Sequence, residues 1–226
     1  MNYGNFANKI HLSMKKKINT DPWQHMVIDD FLSKERWEEI KRMAHYELMA
    51  YQRNPKLTPS GKWIRWCDTD ILPEANVVHK MMPKFRDVEY LYSGYPSPVK
   101  KIMHWAVCPP NYVMPMHCDY DARFFTNVLY ISPDETYGTI LCENDSEYDD
   151  YHRLNATFES NKREVEVEWK PNRLFAFNNM DKAWHYYKSG NHPRIVLQSF
   201  FVDLNKVLPN KEEWDHLIDL DGKYYF

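Results

Sequence analysis

Between residues 99 and 202 the chain offers eight short extended runs joined by brief polar connections, and that succession limits the fold more than any other feature. The runs cover 99–107, 114–119, 124–131, 138–142, 164–169, 173–177, 183–187 and 193–202. The fifth shows the pattern most plainly. Val165, Val167 and Trp169 fall on one face and Glu164, Glu166 and Glu168 on the other, as the two-residue period of a strand requires. Strands with one apolar face each have to be closed against one another, so eight in succession predict a sandwich or jelly roll. The aromatic supply fits, because 16 Tyr, 11 Phe and 8 Trp suit half-buried pleated surfaces.

The residues ahead of these runs read differently. Residues 25–32 alternate well enough for a strand, and Ser33 then stands as an N-cap, although Arg36 sits where a capping box wants an acid. A helix over 34–49 follows, with Trp37, Ile40, Met43, Ala44 and Leu48 on one stripe. Pro55, Pro59 and Gly61 make 54–61 a loop, and 62–66 a short strand. Pro73 opens a second expected helix over 73–92, carrying Val77, Val78, Met81 and Met82 on one face until Pro83 interrupts it. The expectation is a mainly β (α+β) single domain over 1–226. It has a loose arm at 1–20, strand and helices at 21–98 packed on one side, a jelly-roll core at 99–204 and a C-terminal extension at 205–226. The acidic, tyrosine-rich segment 143–162 interrupts the strands as a long loop, solvated or acting as a lid.

Charge and cysteine usage narrow the function. A formal charge of −3 gives no electrostatic case for nucleic acid or an anionic membrane surface, and Lys15, Lys16 and Lys17 read as a solvated arm. Cys67, Cys108, Cys118 and Cys142 have no paired spacing, which argues against a zinc ribbon or disulfide framework and for a reducing compartment. With no apolar run of signal or membrane-span length, a soluble cytoplasmic protein is expected.

The chemistry centres on His117 and Asp119. Residues i and i+2 of an extended strand point to one face, so this pair can approach one ion. His45 and Glu47 have the same spacing but lie on the expected helix, where they face different directions. A distant histidine would complete a 2-His-1-carboxylate set, which suits non-haem Fe(II) and leaves coordination positions open. His185 has the best context, after the extended apolar residues 174–177 and next to Trp184. Arg194 follows nine residues later at the start of the last strand, where its fork can grip the far carboxylate of a dicarboxylate, and Val196 and Gln198 share its face. His104 reads as an interior histidine, and Trp63, Trp66 and Trp105 as core.

In combination these residues resemble the 2-oxoglutarate/Fe(II)-dependent oxygenase superfamily, nearest to its prolyl-hydroxylase-like branch. His117-Cys118-Asp119 matches the HxD motif, NVLYIS at 127–132 resembles the strand that follows it, and YGTILCE at 137–143 the glycine-started strand after that. PNRLFAFNNMDKAWHYY at 171–187 is similar to the segment carrying the distal histidine, and HPRIVLQSFFVD at 192–203 to the closing strand with its arginine. HMVIDDFLSKERWEEI near the start resembles the strand and helix that open that branch.

The resemblance implies a double-stranded β-helix in which His117, Asp119 and His185 bind Fe(II). Arg194 and Tyr130 would take the distal carboxylate of 2-oxoglutarate, with Tyr112, Thr126, Asn127 and Gln198 as candidates for the rest of that pocket. It also implies a hydroxylase that uses O2 and couples decarboxylation to succinate with oxidation of a small-molecule or peptidyl substrate. Asp119, where halogenating relatives lack a carboxylate, points the same way. Two departures stand out: Tyr137 replaces a usual glycine, and Arg194-Ile195-Val196 replaces Arg-x-Ser. Two rivals predict different behaviour. A metal hydrolase on the same triad has no need of Arg194, and a non-catalytic β-sandwich would bind its ligand through aromatics.

Overall fold

The computed structural model describes residues 16–58, 60–81, 99–119, 123–144, 146, 160–179 and 183–203. Strands β1 (Lys16–Asn19) and β2 (His25–Ile28) precede helix α1 (Lys34–Arg53) and β3 (Trp63–Cys67). All eight expected runs are strands: β4 (Val99–Cys108), β5 (Val113–His117), β6 (Arg123–Ser132), β7 (Thr139–Asn144), β8 (Asn161–Val167), β9 (Leu174–Asn178), β10 (His185–Lys188) and β11 (Arg194–Asp203). They build a seven-stranded sheet, β1-β2-β9-β6-β11-β4-β3, and a four-stranded sheet, β5-β10-β7-β8. Every described pairing is antiparallel, as a jelly roll requires.

Alternation assigns the two faces of the large sheet. Met103, Trp105, Val107, Leu129, Ile131, Ile195 and Leu197 point outward and pack with Ile40 and Ala44 of α1. The residues between them point inward. Ala106, Val128, Tyr130, Phe175, Phe177 and Val196 meet Leu141 and Val167 of the small sheet. Register brings Val196 level with both Tyr130 and Ala106, so this inner face is continuous across three strands.

Helix α1 starts as its sequence requires. The Ser33 hydroxyl accepts from the Arg36 amide at 3.4 Å, and Trp37 bonds back to the Ser33 carbonyl at 2.8 Å. Arg36 is free for other work because it does not close a capping box. Its guanidinium reaches Glu74 at 3.0 Å and the Ile71 carbonyl at 2.8 Å, tying the helix to the segment beyond β3.

Two expectations need correction. The helix expected over 73–92 is a 3₁₀ segment, Pro73–Met81, with Ala75 and Val78 fully buried; a buried pair three residues apart suits the threefold winding of that helix. Residues 82–92, the acidic stretch 147–159 and the extension 205–226 lie outside the described residues. The expected arm contains β1, an edge strand whose exposed lysine gave no apolar signal. Trp63, Trp66 and Trp105 are all buried, as expected, with Trp66 on the inner face against His104, 4.9 Å between ring centroids. No described helix is long and apolar enough to cross a membrane, and the four buried cysteines form no disulfide.

The turn before β9 locks the two ends of the fold together. Asn172 adopts φ 63°, and its side chain accepts from the Leu32 amide at 2.9 Å while donating to the Leu32 carbonyl at 3.0 Å. Asn172→Ala is expected to cost about 2–3 kcal/mol in urea unfolding, because it strands two buried backbone groups and replaces an asparagine, which tolerates positive φ, with an alanine, which tolerates it less. Asn172→Gly keeps only the first penalty and should cost less. Next to it, Arg173 grips Asp29 at 2.6 and 3.1 Å, and that bond holds the Asp29 carboxyl below its ordinary range. A depressed carboxylate stabilises the fold above the ordinary carboxylate range and loses that contribution as pH falls through its native titration. Wild type should therefore exceed Asp29→Asn by about 0.5–1 kcal/mol at neutral pH, with the gap closing in strong acid.

Candidate metal centre

Strand β5 ends at His117 and β10 begins at His185, and the register sets these two residues directly opposite each other. Their rings lie 4.4 Å apart, centroid to centroid. Asp119 follows two residues after His117, and its Oδ1 lies 4.0 Å from His117 Nε2. One potential ligand atom from each of the three falls within 4.8 Å of the others. The pairing joins residues far apart in sequence because β10 lies between β5 and β7 in the small sheet.

Each donor is held by its own neighbours. His117 Nδ1 bonds to the Pro115 carbonyl at 2.8 Å, and His185 Nδ1 to the Ala183 carbonyl at 2.8 Å. A carbonyl only accepts, so Nδ1 carries the proton in both rings and each Nε2 keeps its lone pair. Thr126 on β6 donates its hydroxyl to Asp119 Oδ2 at 2.7 Å, leaving Oδ1 toward the histidines. The Asn179 amide bonds to the Asp119 backbone carbonyl.

Electrostatics favour the ligand forms. Burial pushes His117 below the usual histidine range, and the His185 charge adds to it; burial also lowers His185. Burial pushes the Asp119 carboxyl up, but His185, Arg123, His117 and the Thr126 bond outweigh it and hold it low. Two neutral imidazoles and a carboxylate then face one point. That donor set fits a divalent first-row metal, Fe(II) included, with positions left open.

The second part of the site lies at Arg194, only 2% exposed at the start of β11. Its guanidinium carbon is 4.4, 4.9 and 5.3 Å from the ring centroids of Tyr187, Trp169 and Tyr130. Tyr130 stacks on Trp169 at 4.5 Å and donates its hydroxyl to Thr139 at 2.7 Å. Arg194 Nη2 reaches that same Thr139 oxygen at 3.4 Å, its Nε has no partner, and no described carboxylate pairs with it. A buried cation without a counter-charge is costly, and no described carboxylate supplies one to this box.

The other candidate residues divide. Thr126 lies at Asp119 and Tyr130 at Arg194, as above. Gln198 shares their face and bonds His104 Nε2 at 2.9 Å. Tyr112 flanks Tyr187 with ring centroids 6.3 Å apart, its hydroxyl committed to the Ser60 carbonyl at 2.6 Å. Asn127 does not join them. It points to the helix side of the large sheet and bonds Ser199 at 3.1 Å, since residues next to Thr126 on a strand take the opposite face.

Thr139, Trp169 and Tyr187 surround Arg194 and escaped the sequence reading. Only Trp169 carried a signal, as the continuation of the apolar face of β8. The competing pair is elsewhere: Glu47 on α1 meets Arg65 at 3.3 Å.

No protein-family model matches the chain, and no curated protein matches it in sequence. Solved structures do share its fold. A prolyl hydroxylase from Trichoplax adhaerens, in complex with a hypoxia inducible factor oxygen degradation domain peptide fragment, gives a TM-score of 0.53 at 15% identity, over 82% of this chain and 86% of that one. A Pseudomonas putida prolyl-4-hydroxylase gives 0.50 at 17% identity over 79% and 92%. The viral collagen prolyl hydroxylase of Paramecium Bursaria Chlorella virus-1, as its 2OG complex, gives 0.50 at 12% identity over 81% and 98%. At the level of fold, the resemblance read from the sequence is met: the chain has the jelly roll of the prolyl hydroxylases.

Proposed function

We propose that the chain is a 2-oxoglutarate-dependent non-haem Fe(II) dioxygenase, with His117, Asp119 and His185 as its metal ligands. The observation that carries this reading is the buried Arg194, without a described carboxylate partner, in its aromatic box on the large sheet, while His117 and His185 stand on strands of the small sheet. A metal hydrolase needs the donors but has no use for the box, and a binding module needs neither. The fold shared with a 2OG complex adds support.

In this reading the imidazoles of His117 and His185 and the Asp119 carboxylate hold the iron, with Thr126 fixing which carboxylate oxygen turns inward. Bound iron would supply O2 activation, coupling decarboxylation of 2-oxoglutarate to succinate with oxidation of a C–H bond. Arg194, Thr139 and the Tyr130 hydroxyl receive the distal carboxylate. Val128, Val196, Ala106 and Leu141 form the apolar floor beneath the site and keep bulk water away. The prime substrate is a small molecule or a peptide; the Trichoplax adhaerens structure with this fold holds a peptide.

Anaerobic addition of 2-oxoglutarate to the Fe(II)-loaded protein tests the reading through its visible charge-transfer band. The band is expected in wild type, absent in His185→Ala, and reached only at roughly tenfold higher 2-oxoglutarate in Arg194→Met. Iron bound without any band would sink the dioxygenase and favour the hydrolase, while failure to bind iron would favour the binding module. Thr126→Val, which frees Asp119 to rotate, should weaken metal binding by about tenfold without unfolding the protein, as read by competition with a chromophoric chelator.

A further inference from the structure

Besides Arg123, whose charge acts on Asp119, the chemistry above leaves one lysine beside the site unused, Lys62. Lys62 stands one residue before β3, whose first residue, Trp63, pairs with Val107. Continuing that register brings Lys62 level with Cys108, which pairs in turn with Arg194. The backbones of Lys62 and Arg194 are therefore two strand spacings apart, about 10 Å. A tight turn delivers Lys62 to this position. Its carbonyl accepts from the Thr58 amide at 2.7 Å, Tyr112 holds the Ser60 carbonyl at 2.6 Å, and Gly61 takes φ 78°. A Cβ on Gly61 would come within 3.0 Å of the Tyr112 ring, so glycine lets the ring close on the turn.

The Lys62 ammonium lies 6.0 Å from the centroid of Tyr187, the ring that also covers Arg194. Burial pushes its pKa down, and the charges it feels include Arg123, Asp119 and Arg194. No described carboxylate forms an ion pair with it. Formal charge sharpens the point. With the site filled, two positive charges on the metal and one on Arg194 balance one negative charge on Asp119 and two on the co-substrate. The charges of Lys62 and of Arg123, whose guanidinium lies 4.2 Å from the centroid of the Phe200 ring, remain over. The face beside it continues through Trp66, His104 and Phe200, with His104 packed between the two aromatic rings at 4.9 and 5.1 Å.

Resting on the dioxygenase reading, we propose that Lys62 is an anion subsite for the prime substrate, which carries a carboxylate or phosphate group held by this ammonium while its body lies on the Trp66 and Phe200 side.

Calorimetric titration of the Mn(II)- and 2-oxoglutarate-loaded protein with acetate and with inorganic phosphate tests this. Wild type should bind one equivalent of at least one of them saturably, and the preferred anion separates a carboxylate substrate from a phosphate one. Lys62→Met, which keeps the aliphatic stem, should weaken that binding by more than about tenfold, and Lys62→Arg should restore it. Affinity for 2-oxoglutarate, measured first on the Mn(II) protein, should change less than about twofold in both variants. The proposal is overturned if neither anion binds wild type, if Lys62→Met binds equally well, or if Lys62→Met loses 2-oxoglutarate and keeps the anion, since Lys62 then belongs to the co-substrate. Wild type that fails to bind 2-oxoglutarate in the first titration fails the dioxygenase reading instead, and the subsite falls with it.

Discussion

The site depends on one pairing, His185 opposite His117 where β10 meets β5. Side chains on a strand alternate, so a slip of one residue in either strand would turn one imidazole away from the other and dismantle the donor set. The neighbouring pairing with β7, which places His185 level with Leu141, resists such a slip because it would also move buried β10 side chains out of the core. The mutual placement of the three donors is thus inherited from hydrophobic register. The carbonyl bonds to each Nδ1 then do locally what the sheet does globally, leaving each ring one orientation and one free nitrogen.

Arg194 is the electrostatic complement of that centre. Three aromatic faces surround its guanidinium, which explains how a buried cation is tolerated before any ligand arrives. They cannot neutralise it. Facing rings offer quadrupoles worth about 0.5–2 kcal/mol each, well short of the cost of removing a full charge from water. What the box lacks is an anion, and the hydroxyls of Tyr130 and Thr139 stand where they can share it.

How much of this was legible follows from where each residue sits. His117 and Asp119 could be paired from their spacing, and His185 and Arg194 from the apolar strands around them. All four lie within or beside runs whose alternation is written in the chain. Alternation also carried the answer for Asn127, since Thr126 and Tyr130 on one face put Asn127 on the other. Thr139, Trp169, Tyr187 and Lys62 reach Arg194 or its surrounding rings from four separate strands or strand ends, and contacts across and between sheets leave no mark on local sequence. The 3₁₀ segment was misread for a related reason. Its apolar residues fit either winding, and tertiary burial of Ala75 and Val78 decided between them.

The fold alone does not decide the reaction. At identities of 12–17% the shared jelly roll fixes where strands run, and strands of this kind can carry many chemistries. What separates an oxygenase from a hydrolase on the same three ligands is a place for an organic acid beside the metal, and a hydrolase has no reason to hold a desolvated guanidinium there. Lys62 extends the same logic outward. Lys62 is half-buried, and its ammonium lies against the same ring that covers Arg194. A charge in that place, left over when metal and co-substrate have balanced, is most simply accounted for by the molecule that the site has yet to receive.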